Sequence, residues 1–253
     1  MTSTTDLPLA LHQRLPWEGS YNARDLGGYP TAAGSAIQLR RFVRSDTPYH
    51  LTKQGQQSLL DWGIRSMIDL RSADEVRQWP HVFMAHTQIE YHSIPLSQSD
   101  APNIQSQLEQ APLYQWNFLV LAHAQPQIGR ILRQIAHAPS GGVLVHCHAG
   151  KDRTGLIVAL IMALLGVAPD LIISDYVASG AYLQALYKPW LEAVAHDPIQ
   201  LAKLQHDLST QPETMRAVLD ALEQQYGGAL VYIQHCGMSM DDIRLMQQRL
   251  CST

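Results

Sequence analysis

The stretch from Val143 to Gly155, VLVHCHAGKDRTG, constrains this chain more than any other. Val143, Leu144 and Val145 lead through His146 into Cys147. After a polar turn, Arg153, Thr154 and Gly155 open an apolar run from Leu156 to Met162. The pattern predicts a buried strand, a tight loop and the first turns of a helix. A thiol, a guanidinium and the backbone N–H groups of a Gly-containing loop then converge at a helix N-terminus, which suits a tetrahedral dianion beside a thiolate. Phosphate is the guest that such a site fits.

Each residue type has a physical reason. A free thiol is only a few per cent ionised at neutral pH, and a helix terminus favours an anion by at most about 2 kcal/mol, so the loop amides and Arg153 must share the work. Arg153 presents a planar fork that meets two phosphoryl oxygens at once, as Lys cannot. Thr154 can offer its hydroxyl to the sulfur and ease its departure. Gly150 and Gly155 allow close backbone approach and tight helix packing.

Cys147 and Arg153 inside His-Cys-x-x-Gly-x-x-Arg-Thr-Gly resemble the signature of the cysteine-dependent protein tyrosine phosphatase superfamily. With Lys151 and Asp152 in the loop, the chain is similar to the bacterial and fungal tyrosine and lipid phosphatase branch. The segments Asn22-x-Arg24-Asp25-Leu26-Gly27-Gly28, Arg44-Ser45-Asp46, Asp69-Leu70-Arg71-Ser72, Asp175-Tyr176-x-x-Ser179 and Tyr226-Gly227-Gly228 extend the resemblance from about Tyr21 to Leu250. It implies an α/β fold with a central, mainly parallel sheet flanked by helices, and a helical insertion or lid. The expected organisation is an N-terminal arm over residues 1–20 and a phosphatase domain over 21–253. The implied reaction is phosphomonoester hydrolysis through a cysteinyl-phosphate, most readily on protein phosphotyrosine, with dual-specificity or phosphoinositide activity as further possibilities.

The resemblance also assigns roles. Cys147 becomes the nucleophile, Arg153 and the amides of His148, Ala149, Gly150 and Lys151 hold the equatorial oxygens, and His146 orders the loop. Arg24 and Asp25 become supports of that loop. Tyr176 either lines the pocket or is a hydrogen-bonded, half-buried tyrosine. Two residues can serve as general acid. Asp152, in the loop, reaches the leaving oxygen without loop closure and is preferred; Asp100, after the strand expected over Ile89 to Leu96, is the alternative. Lys151 suits either a second phosphate on an inositol ring or the dianion of phosphotyrosine. Trp79-Pro80-His81 is not a mobile Trp-Pro-Asp general-acid loop, because its third residue is His and it lies one strand too early; Pro80 ends a helix.

Other segments carry plainer signals. Ile37 to Val43 and Ile64 to Leu70 read as strands, and Ser72 with Glu75 three residues on is a capping box for a helix from Ala73 to Trp79. Residues 101–138 read as one or two helices, either a lid or an ordinary crossover. Ser239 with Asp242 caps the last helix.

Bulk properties exclude several classes. The 253 residues, 46% of them hydrophobic, can bury a sizeable core, and a formal net charge of −4 disfavours nucleic acid. The chain contains no apolar run long enough for stable membrane insertion. Three distant Cys residues make neither a disulfide framework nor a zinc site and suit a reducing cytoplasm. His residues without convergent ligand spacing call for no metal or cofactor. The expected partner is a phosphorylated protein or phosphoinositide, and the oligomeric state is left open. A rhodanese-like sulfurtransferase and a phosphate-binding pseudoenzyme are the competing readings.

Overall fold

The structure, a computed structural model, describes residues 13–98 and 101–251. Its elements run β1 (Arg24–Asp25), β2 (Phe42–Ser45), α1 (Lys53–Trp62), β3 (Ile64–Asp69), α2 (Ala73–Gln78), β4 (Glu90–Ser93), α3 (Pro102–Gln110), α4 (Leu113–His123) and α5 (Gln125–His137). They continue with β5 (Gly142–His146), α6 (Asp152–Leu164), α7 (Pro169–Tyr182), α8 (Gln184–Ala193), α9 (Pro198–Leu208), α10 (Pro212–Tyr226), α11 (Ala229–His235) and α12 (Met240–Leu250). The sheet order is β1-β2-β5-β3-β4, with β1 antiparallel and the other pairings parallel.

Alternation along the strands divides the core. Val43, Met67 and Leu144 face a smaller layer with α1, while Phe42, Ile68, Val143 and Val145 face a larger one built on α5, α6 and the later helices. Helix α6 is apolar all round because it is enclosed on all sides, from Leu156 to Met162. Ser45, His146 and Asp69 align across the carboxyl ends of β2, β5 and β3, so the loops that follow those strands meet on one edge. Open α/β sheets bind ligands at that edge.

Local signals placed several helix ends. Ser72 and Glu75 form a reciprocal capping box on α2, and Ser239 and Asp242 form another on α12. Pro212 opens α10, which Gly227 closes at φ +77°.

Three expectations are corrected. Of the N-terminal arm expected over residues 1–20, residues 1–12 lie outside the described residues, and the rest packs on the sheet: Leu15 and Trp17 are buried with Val43, Leu51 and Leu144, and the Leu15 amide bonds to the Ala23 carbonyl at 2.8 Å. The strand expected over Ile37 to Val43 starts at Phe42, because Arg40 turns the chain at φ +63° and its amide bonds to Asp25 Oδ2 at 2.7 Å. Residues 101–138 hold three helices rather than one or two. Among the described residues, no helix is long and apolar enough to cross a membrane.

Candidate active site

Cys147 leaves the end of β5 and is 3% exposed. The loop that follows has its carbonyls tied outward. His148 O accepts from the Thr47 amide at 2.8 Å, Ala149 O and Gly150 O from Asn22 Nδ2 at 3.0 and 3.1 Å, and Gly150 O and Lys151 O from Arg44 Nη2 at 2.6 and 3.2 Å. In a planar trans peptide the N–H of the next residue points opposite to the C=O. The amides of Ala149, Gly150, Lys151 and Asp152 therefore face the inside of the loop, as an anion site requires. Gly150 sits at φ +67°, and a Cβ there would stand 2.2 Å from Ser45 O, so both conformation and space demand glycine.

The tethers are themselves fixed. Arg24 bonds to Asn22 Oδ1, to the Asp175 carboxylate and carbonyl, and to Ser179 Oγ, while Arg44 Nη1 pairs with Asp175 Oδ2. Burial pushes the Asp175 carboxyl up, but Arg44 and Arg24 outweigh it and hold it at about 2. Two buried guanidiniums against one carboxylate leave a positive charge behind the loop, which favours an anion on its inner side. Arg24 thus supports the loop through Asn22. Asp25 does not touch the loop: its carboxylate accepts from the amides of Gly27 and Arg40 and from Trp62 Nε1, closing the turn to β2 instead.

A second buried network lies under Cys147. His146 Nδ1 donates to the Cys147 carbonyl at 3.0 Å. Burial drives the His146 pKa down to about 4 against the opposing pull of Asp69, so the ring is neutral near pH 7. Asp69 is gripped by Arg71 through Nε and Nη2 and accepts from Tyr91 Oη at 2.8 Å; burial pushes its pKa up, but His146, His81 and Arg71 outweigh that and hold it well below the carboxylate range. His81 and His146 place Nε2 3.7 Å from Asp69 Oδ2, and the three side chains form a grouping of metal-ligand type that sequence spacing did not reveal. Arg71 already supplies the positive charge there, and both Asp69 oxygens are engaged.

At the head of α6, Asp152 accepts from Tyr176 Oη at 3.1 Å and lies 3.6 Å from Lys151 Nζ. Burial raises its pKa, with Lys151 and Tyr176 opposing. Thr154 Oγ1 is buried and, among the described residues, meets no hydrogen-bond partner. Lys151 is only 2% exposed, and its ammonium bonds to the carbonyls of Asp207 and Ser209 at 3.1 Å each, so it caps the end of α9 from a position next to the Asp152 carboxylate. Asp100, the other acid candidate, lies outside the described residues.

Two helical pairs wall the loop. Leu108, Glu109, Ala111 and Trp116 of the α3–α4 segment, with Ser97, line a cavity of about 310 Å³ together with Asp152 and Arg153. On the other side, His148 lies between Trp79 (centroids 4.5 Å apart) and Trp190 of α8, stacked at 6.1 Å, and Tyr187 is buried nearby. The role of α8 and α9 as a wall had no sequence signal beyond irregular helical spacing. Arg44 and Asn22 had a faint one, since both fall in polar motifs too specific for plain turns.

Residues 15–252 match the Tyrosine phosphatase family. A tyrosine-protein phosphatase from Nostoc commune is 33% identical over 232 residues, covering 87% of this chain and 78% of that protein. The triple specificity protein phosphatase PtpB of Mycobacterium tuberculosis is 26% identical over 272 residues, covering 90% of this chain and 96% of that protein. The crystal structure of TpbA from P. aeruginosa overlaps with a TM-score of 0.36 at 17% identity, covering 60% of this chain and 83% of that one.

Proposed function

We propose that this chain, which belongs to the tyrosine phosphatase family and is a cysteine-dependent hydrolase of phosphomonoesters, acts on protein phosphotyrosine through a cysteinyl-phosphate. The observation that carries the substrate choice is a buried Cys147 beside aromatic side chains. Cys147 is 3% exposed, and beside it Asp152 and Arg153 share a cavity with the α3–α4 segment while the His148 ring packs against Trp79 and Trp190. A substrate whose phosphate is carried on an aromatic ring can pack that ring against these side chains, whereas a short serine stem offers no ring to pack. Two of the three Lys151 ammonium donors go to α9 carbonyls, which weighs against a site for a second inositol phosphate.

In the proposed mechanism the Cys147 thiolate attacks phosphorus, and the bond to the leaving oxygen breaks as Asp152 gives that oxygen its proton. The inward amides and Arg153 hold the equatorial oxygens as charge builds. Asp152, now a carboxylate, takes a proton from water while the water oxygen attacks phosphorus. The phosphorus–sulfur bond breaks, inorganic phosphate leaves, and the Thr154 hydroxyl, which meets no partner among the described residues, steadies the returning thiolate. The raised pKa of Asp152 suits a group that must begin protonated.

The test is phosphate release from a phosphotyrosine peptide, a phosphoserine peptide and a mono-phosphorylated phosphoinositide, each against Cys147→Ser. Release from the phosphotyrosine peptide that vanishes in Cys147→Ser is expected. Equal or faster release from either other substrate would overturn the substrate assignment, and turnover retained by Cys147→Ser would overturn the covalent mechanism.

A further inference from the structure

We infer that Glu75 is a positioning residue that holds Arg153 by one edge of its guanidinium and so turns the other edge toward the phosphoryl group. This rests on the proposed role of Arg153 in phosphate binding. The sequence explains Glu75 as half of a capping box on α2, and it does accept from the Ser72 amide at 2.9 Å. The same carboxylate has a second engagement that capping does not require. Arg153 Nη1 donates to Oε2 at 2.5 Å and Nη2 to Oε1 at 2.6 Å.

A guanidinium offers two forked edges, Nη1 with Nη2 and Nε with Nη2. Glu75 occupies the first. Among the described residues, no acceptor meets Nε, so the second edge is left for two phosphoryl oxygens. The pair is sheltered, with Arg153 19% and Glu75 23% exposed, so the contact is not a loosely solvated surface pair.

The hold is rigid because Glu75 is anchored in turn. Its Oε2 is fixed by the Ser72 amide, and Ser72 follows Arg71, whose amide bonds to Asp69 Oδ1 at 3.0 Å and whose Nη1 bonds to Trp79 O at 2.8 Å. A chain of short contacts therefore runs from the end of β3 through the α2 cap to Arg153. Without it, a long side chain with several free torsions would have to be ordered by substrate alone. The opposite reading is that Glu75 is a competitor that blocks the fork. Occupation of the end edge alone argues against it, and the two readings differ in sign.

The experiment compares Glu75→Gln, Glu75→Ala and Ser72→Ala, measuring kcat and KM on an aryl phosphate, inhibition by inorganic phosphate, and thermal midpoint. Gln keeps the volume and the bond from the Ser72 amide but offers Arg153 a single acceptor. In Glu75→Gln, kcat/KM is expected to fall about 10- to 100-fold and phosphate inhibition to weaken, with a larger loss in Glu75→Ala. Ser72→Ala should lower the thermal midpoint yet leave kcat/KM and phosphate inhibition within about twofold, since the pair with Arg153 survives. Tighter phosphate inhibition in Glu75→Gln would make Glu75 a competitor and overturn the proposal. A Ser72→Ala activity loss as large as that of Glu75→Gln would reduce Glu75 to a helix cap. Cys147→Ser on the same panel separates failure of the underlying site reading from failure of this one.

Discussion

Replacing Tyr176 by Phe should move the alkaline limb of the kcat–pH profile upward. Tyr176 Oη donates to Asp152 Oδ1 at 3.1 Å, a bond that favours the charged carboxylate. Burial raises the Asp152 pKa, and Lys151, Tyr176 and Arg153 pull it back. A hydrogen bond to a charged group is worth about 1.5–3 kcal/mol, and one pKa unit corresponds to about 1.4 kcal/mol, so its loss shifts the acid by about 1–2 units. The Asp152 side chain is 29% exposed, so water replaces part of the lost bond and a shift of about one unit is expected. The sign follows from the role. A general acid with a higher pKa stays protonated to higher pH, so the limb moves up. The assay is kcat against pH for phenyl phosphate and for p-nitrophenyl phosphate, whose better leaving group needs less protonation. Asp152→Asn should remove the limb and slow the poor leaving group by about 100-fold or more, with a smaller loss on the activated ester. A limb that stays in place or moves down in Tyr176→Phe would refute the reasoning, as would the same leaving-group pattern arising from Asp100→Asn instead.

Other consequences follow from the same geometry. Asn22→Ala removes both Nδ2 bonds to the loop carbonyls and an acceptor of Arg24; about 2–3 kcal/mol should be lost in urea unfolding, and kcat/KM should fall well beyond the folded fraction lost. Trp17→Ala should cost about 3–5 kcal/mol, because the indole is 3% exposed in the smaller core layer, whereas truncating a true arm would change the urea midpoint little. His146 has a folded pKa of about 4, below its unfolded value near 6.5, so its contribution is full above pH 6.5 and is lost as pH falls toward 4. That loss is on the order of 3 kcal/mol, and urea midpoints between pH 7 and 4 should fall less steeply in His146→Asn than in the parent.

The readable parts of the sequence were those governed by local spacing. Ser72 with Glu75 and Ser239 with Asp242 announced their helix caps, because both partners of a capping box lie within one turn. The apolar run after Arg153 announced α6, and Val143 to His146 announced β5. The start of β2 escapes local reading because Arg40 adopts a left-handed turn whose amide is held by the distant Asp25 carboxylate. The packing of the N-terminal segment escapes local reading because the burial of Trp17 depends on Leu51 and Leu144, which have no local relation to it.

By itself the sequence determined the order of elements around the Cys147 loop and the spacing that brings a thiol and a guanidinium to one helix terminus. Those follow from residues within a few positions of one another, where periodicity and capping act. Tertiary structure decided what surrounds that loop: Asn22 on the Gly150 carbonyl across 128 residues, Arg44 on Asp175 across 131, Glu75 on Arg153 across 78 and Lys151 on Ser209 across 58. Each depends on an approach of about 3 Å between segments that pack through different helices and strands. Hydrogen bonds and ion pairs at that range are set by the packed positions of whole elements, which local pattern does not encode.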